Sequence, residues 1–220
     1  LNLLPVWDSS FEIGIDGSSG NANTLTLRSG IDLRRKVEWS DLKLEINYVK
    51  STAEQIETKH NAQLLGHHDW LLEDSPWSIF AKTILVYDEF RPFDLELTLN
   101  GGLGYSFIDT DIWSFTGRFG SGASKQWDGP DESWRPEAML GLDAEVQISD
   151  RQKLSLTSDY FPEWGDYKSY RIRTDANWEL LLDEATDMSL TLGIIDRYDS
   201  NAGGTHPNAL DYSLLLLWKL

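Results

Sequence analysis

Four histidines, His60, His67, His68 and His206, are the side chains best suited to acid–base or metal chemistry in this cysteine-free chain. A hydrolase working in a lipid surface needs a serine beside a histidine base, with a carboxylate to orient the ring. His67 and His68 are adjacent, so an extended backbone points them to opposite faces. No Gly-x-Ser-x-Gly occurs, and spacing alone places no carboxylate against either ring. Both are expected to be interfacial polar groups. His206 with Asp199, or His60 with Glu57, would be the raw material of a protease at a loop rim, and both are read as loop histidines. A second chemistry is offered by Asp128, Asp131 and Glu132, hard oxygen ligands for Ca²⁺ or Mg²⁺. Their spacing is not that of an EF-hand, so the default is a solvated acidic turn. Trp127 and Trp134 flank that turn, placed either to stack on a sugar or to pin the loop. Gly101, Gly102 and Gly104 imitate a phosphate loop, but no helix follows them. A bend or bulge is expected there.

The scaffold follows from composition and alternation. The chain has 220 residues, 40% hydrophobic and 25% charged, with 10 Trp and a formal net charge of −17. A surplus of carboxylates disfavours nucleic acid, whose phosphates need clustered Lys and Arg. No run approaches 18 apolar residues, the signature of a spanning helix. The mean hydropathy of −0.38 is polar, yet a membrane barrel hides its apolar face in such an average, since only alternate residues meet lipid. The chain opens Leu1-Asn-Leu-Leu-Pro5 without a basic or long apolar leader, as expected either of a mature product or of a segment given without its signal peptide.

Period-two reading divides residues 1–220, taken as a single domain, into about twelve strands. They span 6–15, 24–34, 41–50, 61–71, 77–88, 94–107, 112–120, 136–148, 153–162, 168–181, 188–198 and 210–220. In the eighth, Ala138, Leu140, Leu142, Ala144, Val146 and Ile148 alternate with Glu137, Asp143, Glu145 and Gln147. In the last, Leu210, Tyr212, Leu214, Leu216, Trp218 and Leu220 make one apolar face opposite Asp211, Ser213 and Lys219. Each apolar stripe is long enough to cross a bilayer as a tilted strand, which takes about 9–11 residues. Connections after even strands read as short. Those after odd strands read as mostly longer: 16–23, 51–60, 121–135 and 199–209, with 89–93 and 163–167 as shorter exceptions. The fold class is therefore all-β, an antiparallel up-and-down transmembrane β-barrel with both termini periplasmic. Trp7, Trp70, Trp77, Trp113, Tyr160, Trp178 and Trp218 sit near strand ends on the apolar face, as an aromatic girdle requires.

Several phrases then acquire a context: Gly17-Ser-Ser-Gly-Asn21, Tyr87-Asp-Glu-Phe-Arg91, Gly101-Gly-Leu-Gly-Tyr105, and Asp159-Tyr-Phe-Pro162 before Tyr170-Arg171. In that order they resemble the uncharacterised family of salt-induced outer-membrane proteins of Gram-negative bacteria. The resemblance implies an outer-membrane β-barrel made with a cleaved signal peptide. It carries over no substrate and no catalytic residue. The chain ends on Leu220, where such barrels often end on Phe.

The opposite face of each strand should line a lumen of both signs. Arg28, Arg34, Lys43, Lys82, Arg118, Arg171 and Arg173, with Lys153, Arg197 and Lys219, supply the cations. Asp32, Glu45, Asp69, Asp88, Glu96, Asp143, Glu145, Asp159, Asp175, Glu179 and Asp211, with Asp41, supply the anions. Near-balance suggests cross-strand ion pairs rather than a selective pore. Phe80, Ile84, Val86, Met139, Phe161, Leu181, Leu215 and Leu217 also point inward. The fifth and twelfth strands are therefore apolar on both faces in places. Either the lumen is packed shut there or a protein partner docks on them.

The expected role is a monomeric, non-enzymatic barrel of the cell outer membrane without a cofactor, forming a narrow or partly occluded channel or a structural envelope protein. Its partners would be outer-membrane lipid, lipopolysaccharide and the barrel-assembly machinery. A soluble acidic carbohydrate-binding module and an outer-membrane hydrolase acting at the loop rim are the competing readings.

Overall fold

The computed structural model describes residues 7–18, 24–129, 132–201 and 207–219. Twelve strands account for most of them: β1 (Asp8–Ser18), β2 (Thr24–Val37), β3 (Ser40–Ala53), β4 (Ile56–Leu71), β5 (Trp77–Asp88), β6 (Leu95–Asp109), β7 (Trp113–Trp127), β8 (Arg135–Ser149), β9 (Gln152–Glu163), β10 (Asp166–Asp183), β11 (Met188–Asp199) and β12 (Asn208–Lys219). Each pairs antiparallel with its chain neighbours, and β1 closes on β12 through Ser10↔Lys219, Phe11↔Trp218, Glu12↔Leu217 and Ile13↔Leu216. Closure removes every free sheet edge, the one way a sheet can cross hydrocarbon.

The outward face carries the alternation. In β5, Trp77, Ile79, Ala81, Thr83, Leu85 and Tyr87 point out, while Ser78, Phe80, Lys82, Ile84 and Val86 point in. Ile79, Leu99, Leu103, Phe119, Leu140, Ile194 and Leu214 all expose a third or more of their surface. A water-soluble module does not present such a belt of apolar side chains. Ten residue steps separate the outward rings of Trp77 and Tyr87. At ~3.4 Å per residue and a tilt of about 40°, that is roughly 26 Å along the membrane normal, matching the ~25 Å apolar band of outer-membrane barrels.

Strand ends differ from expectation in one consistent way. β7 runs on to Trp127 instead of stopping near residue 120, and β3 and β4 meet across two residues, Glu54 and Gln55. The expected long loops at 51–60 and 121–135 are thus largely ladder. Residues 51–60 are mostly polar and 121–127 are rich in Gly and Ser because the strands there rise past the lipid. Both faces then meet polar surroundings and the period-two signal fades. The β3–β4 and β9–β10 connections are as tight as any at the opposite end, so loop lengths sort by parity much less than the sequence suggested. Glu54 and Gln55 both adopt positive φ, 50° and 66°, the left-handed pair that matches a tight hairpin to strand twist.

Candidate functional site

The barrel interior concentrates the polar chemistry. Strand register puts Arg28, Asp32, Arg34, Lys43, Glu45, Asp69, Lys82, Asp88 and Glu96 on the inward face. Arg118, Asp143, Glu145, Asp159, Arg171, Arg173, Asp175, Glu179 and Asp211 share that face. Many reach across the bore instead of pairing with the adjacent strand. Arg171 on β10 donates to Glu96 on β6 at 2.6 Å and to Glu137 on β8 at 2.7 Å. Arg118 bonds Asp69 at 2.9 Å and also meets Asp143. Lys82 on β5 pairs with Asp159 on β9, both nearly fully buried, and Lys59 on β4 reaches Asp211 on β12. Burying these charges is tolerable only because each has a partner of opposite sign.

A packed layer lies at the waist. Register aligns Phe80↔Gly102, Gly102↔Gly120 and Gly120↔Met139 in one rung across four strands. Two glycines between two large side chains leave room for Phe80 and Met139 to lie over them. Both become fully buried, in a cluster with Ile84 and Phe161 and with Leu65 and Val86 at its margin. The next rung, Lys82↔Asn100↔Gly122↔Glu137, repeats the device with polar groups. Asn100 donates to Glu137 at 3.0 Å over Gly122. The Arg171 guanidinium caps the layer, 5.5 Å over the Phe161 ring. The expected bend is therefore displaced: the bulge falls at Ser106–Ile108, and the glycines form the seat of this septum. Its inner-face Phe80 and Ile84 pack against Met139 and Phe161, so the apolar inner face of β5 belongs to the barrel's own core.

A cavity enters from each end. The larger, about 920 Å³, opens at the end bearing the chain termini, and carboxylates outnumber Lys and Arg along its wall thirteen to eight. The smaller, about 370 Å³, opens at the opposite end, lined by five arginines and two carboxylates, with Phe90, Phe93 and Phe161. The near-balanced inner wall is thus segregated by height.

The remaining candidates scatter. Trp70, Trp77, Trp113 and Trp218 ring the outer face at the terminus-bearing end, with Trp7 just before β1 and Trp178 a turn further along β10. Tyr160 belongs to the other end, where it packs at 5.5 Å on Tyr170, itself 5.5 Å from Tyr198. With Tyr48 and Tyr87 these form a tyrosine belt, of which the expected girdle included Tyr160 alone. Glu132 accepts the backbone N–H of Asp128 at 3.1 Å, while Asp131 lies outside the described residues, as do His206 and Leu220. His67 faces inward, bonded to Asp69 at 2.9 Å and stacked on Phe80. His68 faces outward and shares a 2.7 Å hydrogen bond with Ser40. That serine is buried, and among the described residues no carboxylate orients His68, so the pair lacks the access and the third member that a hydrolase needs. Glu137 sits on the polar face of its strand as read from sequence, but its central place does not show there, because its partners come from β6 and β10. Lys59 lies in β4, within the 51–60 stretch that its polar composition marks as loop.

Comparison with known proteins agrees with this geometry. The model of a family described as "Protein of unknown function, DUF481" matches residues 11–219. Among solved structures, the NanC porin is similar at TM-score 0.52 with 9% identity, covering 97% of this chain and 98% of that one. The translocator domain of the autotransporter NalP from Neisseria meningitidis is similar at TM-score 0.50 with 11% identity, covering 97% and 87%. Comparison with curated proteins finds no match. At such identities the likeness is one of fold, a membrane-spanning β-barrel.

Proposed function

From its place in the DUF481 family, to which this chain belongs, and from the packed layer of Phe80, Ile84, Met139 and Phe161 inside its barrel, we propose that it is a Gram-negative outer-membrane barrel closed at the waist, which does not act as an open diffusion pore. The observation that carries this is the rung Phe80–Gly102–Gly120–Met139 with the charged rung beside it. A wide bore would leave those apolar side chains in water and separate the ion pairs, forfeiting about 25 cal/mol per Å² of apolar burial and the compensation of each buried charge. The termini-bearing end is assigned to the periplasm and the tyrosine-belted end to the cell surface, with lipid and lipopolysaccharide around the outward face. NanC is a porin; extending that description to this chain requires the septum to part. No catalytic role is assigned, since among the described residues no histidine has a complete nucleophile–base–orienter set around it.

Planar-bilayer recording of the refolded barrel tests the proposal. Small or absent steady conductance is expected. A large, steady, strongly cation-selective conductance at high salt refutes the closed waist and restores a general porin.

A further inference from the structure

At the tyrosine-belted end, on the outside of the barrel, three ligand atoms converge. His60 Nδ1 lies 3.0 Å from Glu57 Oε1 and 2.8 Å from Glu89 Oε2. Among the described residues this is the one group of three His or carboxylate ligand atoms close enough to share an ion, all within 4.8 Å of one another. Two features show that the arrangement is built. Residues 57 and 60 are an odd number apart, so a regular strand would point them to opposite faces. The bulge opposite Ser51 and Thr52, where Lys59 and Glu57 are paired in succession, brings Glu57 round to the side of His60. Re-aiming a side chain is what a bulge does. The ring itself is held edge-on between Tyr48 and Tyr87, with centroids at 5.7 and 5.6 Å. Glu89 is tethered through its backbone N–H to the His60 carbonyl at 3.2 Å.

We propose that Glu57, His60 and Glu89 form a divalent transition-metal site of the zinc type on the outer rim of the barrel. One imidazole nitrogen and two carboxylates suit Zn²⁺, whereas Ca²⁺ and Mg²⁺ prefer an all-oxygen shell. Three protein ligands leave one position of a tetrahedral ion for water. The two carboxylates crowd a single ring nitrogen, which carries at most one proton; a dication in its place answers both. Lys50, 2.7 Å from the second oxygen of Glu57, competes for that carboxylate and tempers the affinity. An ion here ties the loop after β5 to the start of β4.

The test is calorimetric titration of Zn²⁺ into the micelle-folded chain in a non-chelating buffer, with each variant first checked for heat-modifiable gel mobility. One saturable site is expected. His60→Ala abolishes it, although His67 and His68 remain; Glu89→Gln weakens it more than tenfold; Lys50→Met strengthens it severalfold. Absence of saturable binding at millimolar Zn²⁺ overturns the proposal. So does binding that folded His60→Ala and Glu89→Gln leave unchanged, or a preference for Ca²⁺.

Discussion

Glu137 shows how a single carboxylate organises the interior. It is completely buried, accepts from Asn100 at 3.0 Å and from Arg171 at 2.7 Å, and sits where β6, β8 and β10 meet. Removing it leaves Arg171 with Glu96 as its one paired carboxylate, beside the Thr98 hydroxyl, and strips the Asn100 amide of its acceptor. Breaking a buried pair from one side costs about 3–5 kcal/mol, because the other charge stays buried. Glu137→Ala should lower the unfolding free energy by that amount in urea titrations of the micelle-bound barrel. Glu145→Ala, which breaks a half-exposed pair with Lys153, should cost less than ~1 kcal/mol. Equal losses would mean that burial does not set the energetics of this network. Alternation alone revealed that Glu137 faces inward. It did not reveal which strands answer it, since pairing across a closed bore depends on barrel diameter and stagger, to which no local pattern is sensitive.

The strands were legible wherever lipid covers one face. Within the bilayer each outward position must be apolar and each inward one is free to be polar, so β5, β8 and β12 announce themselves. Beyond the lipid that contrast disappears, and residues 121–127 look like loop though all are paired with β6 and 121–124 with β8 as well. Glycine adds a second ambiguity, since in a strand it marks a bend, a bulge or a close approach. At Gly102 it is the last: a Cβ there would lie 2.2 Å from the Phe119 carbonyl oxygen and 2.5 Å from Gly120 Cα. Backbone cannot yield as a side-chain tip does. Gly102→Ala should therefore cut the yield of heat-modifiable, folded barrel severalfold in refolding assays. Gly66→Ala is the control, because its Cβ would meet nothing nearer than the Leu44 side chain at 3.5 Å and should fold normally. Normal folding of both would show that β6 and β7 need no glycine contact.

For the barrel taken whole, what matters is where its charge lies. An inner wall with nearly equal numbers of both signs suggests a bore without preference. The structure instead sets an acidic vestibule at one mouth and an arginine-rich one at the other, with the Phe80–Met139 layer between them. Charge segregated along low-dielectric walls focuses the field, concentrating cations at one mouth and anions at the other. While the waist is closed that polarity carries no current. Opening it with the double substitution Phe80→Gly, Met139→Gly should admit ions and expose the asymmetry as rectification. At 0.1 M salt, with a Debye length of ~10 Å, currents at opposite voltages of equal size should differ by about twofold or more. At 1 M, where screening acts over ~3 Å, the ratio should approach one. Symmetric currents at low salt would show that the vestibule charges compensate each other locally. If the double variant stays silent, the barrier lies in the Lys82–Asp159 and Arg171–Glu137 ion pairs and not in the apolar layer beside them.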